Sequence, residues 1–288
     1  MRRLFPPIVK NKIAFLVSFA AILVVLSLVI YGVWIEPNRI TIHHVPIRDS
    51  YFGRVLENKV VVQISDLHIR TIGNHEKKVL ALLNTINPDI IFLTGDYVQW
   101  DGTNEPALHF LSLLQAKIGV WAVMEDYDYC NSRKSCAFCH EEGAGKLTKK
   151  HHVRFLKDSM DSVRLPEGTL RIGGFDGEGG MAYSGNKALL SLNADTPSII
   201  LSHNPLNYDL IGENQNILML AGDTHGGQVP LPGWLFRILG YKKNALYNQG
   251  LFEKGLKKLF VSRGIGTSHM PFRLFRPPEV VVFQFTPK

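Results

Sequence analysis

The 288-residue sequence lacks internal repeats and low-complexity tracts, and it contains only three cysteines. The first absence excludes a repeat architecture. All three cysteines fall within residues 130–152, so a disulfide framework cannot hold the rest of the chain together. The hydrophobic content of 45% is enough for a full core. This length favours one large domain with appendages over two domains.

The charge excess is also modest. The formal net charge is +7 and the sequence pI is about 9.2. A basic balance of this size favours an anionic partner such as a phosphate ester, nucleic acid or anionic lipid, and it is equally compatible with a solvated basic surface. The net charge alone therefore does not distinguish between these functions.

An uncharged apolar run near the N-terminus predicts a transmembrane helix over residues 13–35, after a basic tail of residues 1–12. The run lacks a small-x-small cleavage site, so we expect it to be retained. The basic residues close to the span are Arg2, Arg3, Lys10 and Lys12 before it, and Arg39 and Arg48 after it. This bias predicts a single-pass protein of a bacterial inner (cell) membrane, with its main domain periplasmic or otherwise extracytoplasmic.

Residues 36–58 are interpreted as a linker because Pro37, Pro46 and Gly53 stand among polar residues. From residue 59 to the C-terminus, strand-like and helix-like patterns alternate. The predicted strands cover residues 60–64, 89–94, 119–124, 170–174, 198–202, 217–221, 259–261 and 280–285. The predicted helices cover residues 76–86, 106–117 and 153–159, and residues 130–152 form a polar, Cys-rich insertion. This alternation predicts an α/β fold with parallel strands covered by helices.

Residues able to bind metals follow one predicted strand after another. Asp66 and His68 come directly after the apolar run of residues 60–64, and on an extended chain they point the same way. A carboxylate and an imidazole at the carboxyl end of a strand suit a divalent metal. The later strand ends add Asp96, Asp126, His203, Asp223 and His225. Such a recurrence is improbable for unrelated polar residues, so the sequence predicts a metal centre.

These blocks resemble the calcineurin-like metallophosphoesterases. The resemblance lies in DLH at residues 66–68, GD at 95–96, LSH at 201–203 and GDTHGGQ at 222–228, and it extends from about residue 58 to the C-terminus. It is strongest for the membrane-anchored branch similar to YkuE-like phosphodiesterases and UDP-2,3-diacylglucosamine hydrolases. The resemblance implies a two-sheet α/β/β/α sandwich, here with an N-terminal transmembrane helix.

The resemblance also implies two divalent metal ions, Mn, Fe or Zn, that clamp a phosphoryl group and generate hydroxide near neutral pH. The implied ligands are Asp66, His68 and His225 for one metal, Asp126, His203 and Asp223 for the other, and Asp96 as a bridge between them. Asp96, Asp126 and Tyr127 are the implied catalytic residues.

Three positions depart from the family pattern. Asp126 replaces an asparagine ligand and Asp223 replaces a histidine ligand, so both positions keep a side chain that can bind a metal. Tyr127 replaces the histidine usually credited with protonating the leaving group. A tyrosine hydroxyl, with an ordinary pKa near 10, is a poor proton shuttle at pH 7. We therefore expect an active enzyme tuned towards substrates with good leaving groups.

The Cys-rich insertion contains the motif C-x-x-C-H at Cys136, Cys139 and His140. This spacing suits covalent haem c, and an extracytoplasmic domain is where haem attachment occurs. Together with Cys130, the same residues suit a zinc knuckle. A disulfide or redox pair, or a chance match in a polar loop, are the remaining interpretations.

The expected function is hydrolysis of a phosphoester, phosphodiester or pyrophosphate, with a phosphorylated lipid or glycolipid as substrate, the membrane bilayer as partner and no nucleic acid. The stretch at residues 230–239 is apolar and aromatic, and Arg237, Lys242 and Lys243 stand in or beside it. It is interpreted either as core or as a surface facing the bilayer. The alternatives are a haem-binding redox or sensor protein, and a pseudoenzyme on the same scaffold.

Overall fold

The computed structural model describes residues 7–100, 102–125, 128–129, 151–176, 196–268 and 270–288. Within them the chain forms two six-stranded sheets flanked by helices. The strands are β1 (Thr41–Arg48), β2 (Val61–Ile64), β3 (Ile90–Thr94), β4 (Gly119–Val123), β5 (Val153–Phe155), β6 (Ser159–Leu165), β7 (Gly168–Gly174), β8 (Ser198–Leu201), β9 (Ile217–Ala221), β10 (Gly250–Lys254), β11 (Lys257–Val261) and β12 (Glu279–Thr286). The helices are α1 (Pro7–Ile30), α2 (Ser50–Leu56), α3 (Asn74–Ile86), α4 (Asn104–Ser112), α5 (Gly233–Ile238) and α6 (Lys242–Leu246).

The strand order brings the carboxyl ends of neighbouring strands together. The first sheet has the order β1-β12-β2-β3-β4-β5, and the second has the order β10-β11-β9-β8-β7-β6. Strands β2 to β5 run parallel to one another, as do β7, β8, β9 and β11. In a parallel sheet the carboxyl ends share one edge, and this edge is where α/β proteins usually bind ligands.

The core lies between the two sheets. Phe92 and Trp121 of the first sheet and Leu218 and Phe260 of the second belong to one cluster of fully buried side chains. Burying each such side chain contributes about 1.5–3 kcal/mol. The other face of the first sheet is covered by α3 and α4, and the 3₁₀ segment Pro205–Leu210 packs on the outer face of the second. The α/β sandwich expected from the resemblance is confirmed.

The region interpreted as a linker instead contains β1 and α2. All eight residues of β1 pair in parallel with β12, and Val45 and Ile47 are buried. Strand β1 lies at the edge of its sheet, and this position explains why Pro46 is tolerated. Proline has no backbone N–H to donate, and an edge strand has no neighbour on one side to accept that hydrogen bond. Asp49 begins α2 by accepting hydrogen bonds from the next turn, as an N-cap aspartate does.

Two predicted helices also differ from the structure. The helix expected over residues 106–117 is α4, which begins at Asn104 and ends at Ser112. The helix expected over residues 153–159 is absent from the described chain, where β5 and the start of β6 occupy this stretch. Strand β5 pairs with β4, so tertiary pairing outweighs the local helical pattern.

The N-terminal apolar run forms α1, which continues through a π-helical turn, Tyr31–Ile35, and a 3₁₀ turn, Glu36–Asn38. By length and composition, Lys12–Asn38 could cross a membrane, and its most apolar window has no share buried inside the protein. The π-helical turn that follows α1 is hydrogen-bonded to the rest of the domain, because Arg273 N donates to Gly32 O at 2.9 Å.

Candidate metal centre

Five of the predicted metal ligands adopt left-handed backbone at the ends of β2, β3 and β9. The φ angles are 50° for Asp66, 46° for His68, 57° for Asp96, 72° for Asp223 and 51° for His225. Residues with side chains rarely adopt this conformation, and such outliers cluster at functional sites. Strain at these turns is therefore the first structural sign of a site.

The turns bring carboxylates and imidazoles from both sheets together. Two groups have ligand atoms all within 4.8 Å of one another, Asp66, His68 and His225 in one and Asp66, Asp96 and His203 in the other. His68 Nε2 and His225 Nε2 lie 3.1 Å apart. His225 Nε2 is 3.5 Å from Asp66 Oδ1. Both groups are buried, and each has the mixed oxygen and nitrogen donors that suit a divalent transition metal.

Two aspartates connect the groups. We expected Asp96 to be the shared ligand, whereas Asp66 is the residue common to both groups. Asp96 Oδ2 nevertheless lies 3.4 Å from His68 Nε2 and 3.4 Å from His203 Nε2. Asp96 therefore also lies between the two groups, where a bridging ligand would be.

Two buried carboxylate oxygens without hydrogen-bond partners among the described residues indicate that these residues fit a cation. Within the described part of the chain, Asp66 Oδ2 and Asp96 Oδ1 are buried and make no hydrogen bond. A buried carboxylate oxygen without a partner is costly, and a bound cation removes that cost. Gly222 keeps this space open, because a Cβ there would overlap Asp66 Oδ2 and Ser65 Oγ.

The electrostatics of the site depend on burial and on the neighbouring charges. Burial raises the pKa of Asp66 to about 6, with His203 opposing this shift and Asp96 adding to it. Burial works against a charged His203, but Asp96 and Asp66 outweigh it and raise the pKa of His203 well above its usual value. Burial and the neighbouring His68 lower the pKa of His225 well below its usual value. His225 is therefore neutral and ready to bind a metal, whereas His203 must first release a proton.

Asp128 holds the turns of β3 and β4 together. Its carboxylate accepts hydrogen bonds from the backbone N–H groups of Asp96 (2.9 Å), Tyr97 (2.7 Å) and Glu125 (3.0 Å). His203 Nδ1 donates to Thr94 O at 2.6 Å, which turns Nε2 towards Asp96. Nothing in the local sequence around Asp128 indicates that its oxygens bind backbone N–H groups.

Three charged residues near the site were missed by sequence reasoning. Glu125 is 5% exposed, and its Oε2 makes no hydrogen bond among the described residues. Lys243 of α6 forms an ion pair with Asp223. Arg273 is fully buried and donates to the carbonyls of Arg263 (2.7 Å) and Gly266 (2.6 Å). These roles depend on contacts between distant segments, which no local pattern reveals.

The remaining predicted residues divide into two cases. Asp223 donates its backbone N–H to Asp66 Oδ1 at 2.9 Å, and its carboxylate pairs with Lys243, so it belongs to neither group of ligand atoms in the described chain. The rest lie outside the described residues, and their roles stay predictions: Asp126, Tyr127, Cys130, Cys136, Cys139 and His140.

Comparison with known proteins gives relatives that cover most of the chain, although no family model matches it. The metallophosphoesterase YkuE of Bacillus subtilis is 26% identical over 88% of each chain. The UDP-2,3-diacylglucosamine pyrophosphatase LpxG of Chlamydia muridarum is 26% identical over 93% of this chain and 96% of its own. The phosphodiesterase YaeI of Escherichia coli is 29% identical over 68% of this chain and 70% of its own.

The two-sheet sandwich, its buried Asp/His cluster and these relatives together define a metal-dependent phosphoric ester hydrolase. The relatives, at 26–29% identity over most of the chain, are metallophosphoesterases and include YkuE and LpxG, so the chain is similar to this branch. The resemblance found in the sequence is thereby confirmed.

Proposed function

We propose that the chain hydrolyses a phosphoric ester or pyrophosphate with two divalent cations, held by Asp66, His68, Asp96, His203 and His225. The observation that carries the proposal is the pair of buried ligand groups joined through Asp66 and Asp96. Two bound cations would neutralise charge on the phosphoryl group and lower the pKa of an attacking water. Manganese, iron and zinc all suit this donor set.

The chain's own residues prepare the site. Thr94 O orients His203, and Asp128 fixes the backbone on either side of Asp96. Lys243 places a positive charge beside Asp223 at the edge of the site, where it can attract an anionic substrate. Asp126 and Tyr127 complete the proposed site as ligand and hydrogen-bond donor, as the family pattern implies.

We further propose a lipid-linked substrate at a membrane. LpxG, which aligns over nearly the whole chain, is named for a diacylglucosamine substrate. The possible membrane helix is bonded to the domain close to the site, since Arg273 contacts both Gly32 O and, at 3.4 Å, His225 Nδ1. The charge bias around the span supports an extracytoplasmic domain. A reporter fused to the C-terminus tests this, and cytoplasmic signal would contradict it.

The hydrolase proposal is tested with bis(p-nitrophenyl) phosphate, a soluble diester with good leaving groups. We expect the detergent-solubilised full chain to cleave it with Mn²⁺ and to stop when a chelator is added. Asp96→Asn should lower kcat/KM at least about a hundredfold, since even residues that only orient ligands cost about 10–100-fold. Asp209→Asn, at an exposed aspartate outside both groups, is the matched control. Equal rates for Asp96→Asn and the control would contradict the proposal.

A further inference from the structure

The hairpin formed by α5 and α6 exposes large apolar side chains beside the metal centre. Trp234 is 65% exposed, Ile238 73% and Tyr241 59%, and Leu239 and Leu246 are exposed as well. Phe236 is the one buried residue of α5, and its ring packs against Gly227 of the metal-binding block. Single exposed apolar residues are common, but several in one short hairpin indicate an interaction surface.

The same hairpin carries positive charge and no negative charge. Residues 229–250 contain Arg237, Lys242 and Lys243 and no aspartate or glutamate. Arg237 and Lys242 line a cavity of about 330 Å³ together with Gly240, Ala245 and Leu246. Aromatic and aliphatic side chains beside basic residues are typical of segments that lie in the interface of an anionic bilayer.

Hydrogen bonds and packing contacts connect Gln228, which precedes the hairpin, to the π-helical turn that follows α1. The Gln228 side chain accepts from Ser268 N at 2.9 Å and donates to Phe272 O at 3.0 Å. The ring of Phe272 packs against Gly32 at the end of the possible membrane span. The segment 270–276 therefore lies between hairpin and span, and it also exposes Met270 (66%) and Phe275 (57%). Exposed apolar side chains are therefore found in the span, in the segment 270–276 and in the hairpin.

The hairpin is also bonded to the metal centre. Asn244 Nδ2 donates to Thr224 O at 2.8 Å, and Lys243 pairs with Asp223. Thr224 stands between Asp223 and His225. A ligand held by α6 is therefore held next to residues of the site.

We propose that the α5–α6 hairpin is a docking surface for an anionic bilayer. Trp234 and Ile238 enter the interface, and Arg237 and Lys242 bind anionic lipid headgroups in the cavity between the two helices. Docking brings a lipid-linked phosphoester to the edge of the metal centre. Only this last step rests on the proposed function.

The test uses the full chain in nanodiscs that contain phosphatidylglycerol with brominated acyl chains, which quench nearby tryptophan. The chain has four tryptophans, so the Trp234 signal is the difference between wild type and Trp234→Phe. We expect this difference signal to be quenched. In the Arg237→Gln/Lys242→Gln double variant the ratio of docked to undocked hairpin should fall about thirtyfold, because each basic residue near an anionic surface contributes about 1 kcal/mol.

A Trp234 signal that is unquenched in these nanodiscs would overturn the proposal, whether the residue is exposed to water or covered by a second protein chain. Quenching that persists undiminished in the double variant would overturn the role of the two charges. Hydrolysis of bis(p-nitrophenyl) phosphate by the same samples is measured in parallel and should not change. Loss of docking with hydrolysis retained contradicts only the inference, and absence of hydrolysis in wild type contradicts the proposed function.

Discussion

Glu125 should make the metal-free protein less stable as the pH rises. Its side chain is buried beside the metal centre, and one oxygen has no hydrogen-bond partner in the described chain. Burial raises the pKa of Glu125 from 4.5 to about 8, with Asp96 and Asp223 adding to the shift and His203 and Lys243 opposing it. In the unfolded chain the group should titrate near its ordinary pKa.

The size of the effect follows from these two pKa values. Below about pH 4.5 Glu125 is protonated in both states and there is no penalty. As the pH rises towards 8, the unfolded state binds fewer protons than the folded state, so the free energy of unfolding falls by about 1.4 kcal/mol per pH unit. The loss reaches about 5 kcal/mol above pH 8, a large part of the 5–15 kcal/mol typical of a domain.

Glu125→Gln removes the titrating group and should abolish this loss. We expect the variant to match wild type at about pH 4 and to be more stable by up to about 5 kcal/mol at pH 9. The assay is urea unfolding of the detergent-solubilised full chain in EDTA, followed by intrinsic fluorescence. Glu57→Gln, at an exposed glutamate, is the control and should stay within about 0.5 kcal/mol of wild type. A difference between Glu125→Gln and wild type that does not change with pH would refute the reasoning.

Three further predictions concern the same site. Because metal binding must displace the proton of His203, titration of Mn²⁺ in buffers of different ionisation enthalpy should show proton release at pH 7, and His203→Gln should release about one proton fewer than wild type. Asp128→Asn should cost about 2–4 kcal/mol in the free energy of unfolding, since an amide cannot accept all three backbone hydrogen bonds; a loss below about 1 kcal/mol would contradict this. Arg273→Lys should cost about 3 kcal/mol, because one ammonium cannot replace a buried guanidinium that binds carbonyls on two sides, and urea unfolding that matches wild type would contradict it.

The inner strands could be predicted from the sequence, and so could the meeting of Asp66, His68, Asp96, His203 and His225 at one edge of the candidate site. Apolar runs such as residues 61–64 are buried on both faces, so they stand out in any context. Asp66 and His68 follow such a run directly, and the same holds for Asp96 after β3. Chain order and the parallel arrangement then place these side chains at one edge.

Features that depend on distant contacts could not be predicted in this way. Strand β1 contains Pro46 and polar residues, and it is a strand only because β12, more than two hundred residues later, supplies its hydrogen bonds. Arg273 lies in a loop without regular structure, and its importance comes from burial against Gly266 and His225. The pKa of Glu125 likewise reflects tertiary burial.

The most direct test of the central claim is to count the metal ions that the protein binds. Chelator-treated full chain is titrated with Mn²⁺ by calorimetry and, after dialysis, measured by elemental analysis. Two ligand groups joined through Asp66 and Asp96 lead us to expect two ions per chain in wild type and weakened binding of both in Asp66→Asn, with Asp209→Asn unchanged. Wild-type protein that binds no metal, or Asp66→Asn that binds two ions as tightly as wild type, would contradict the account.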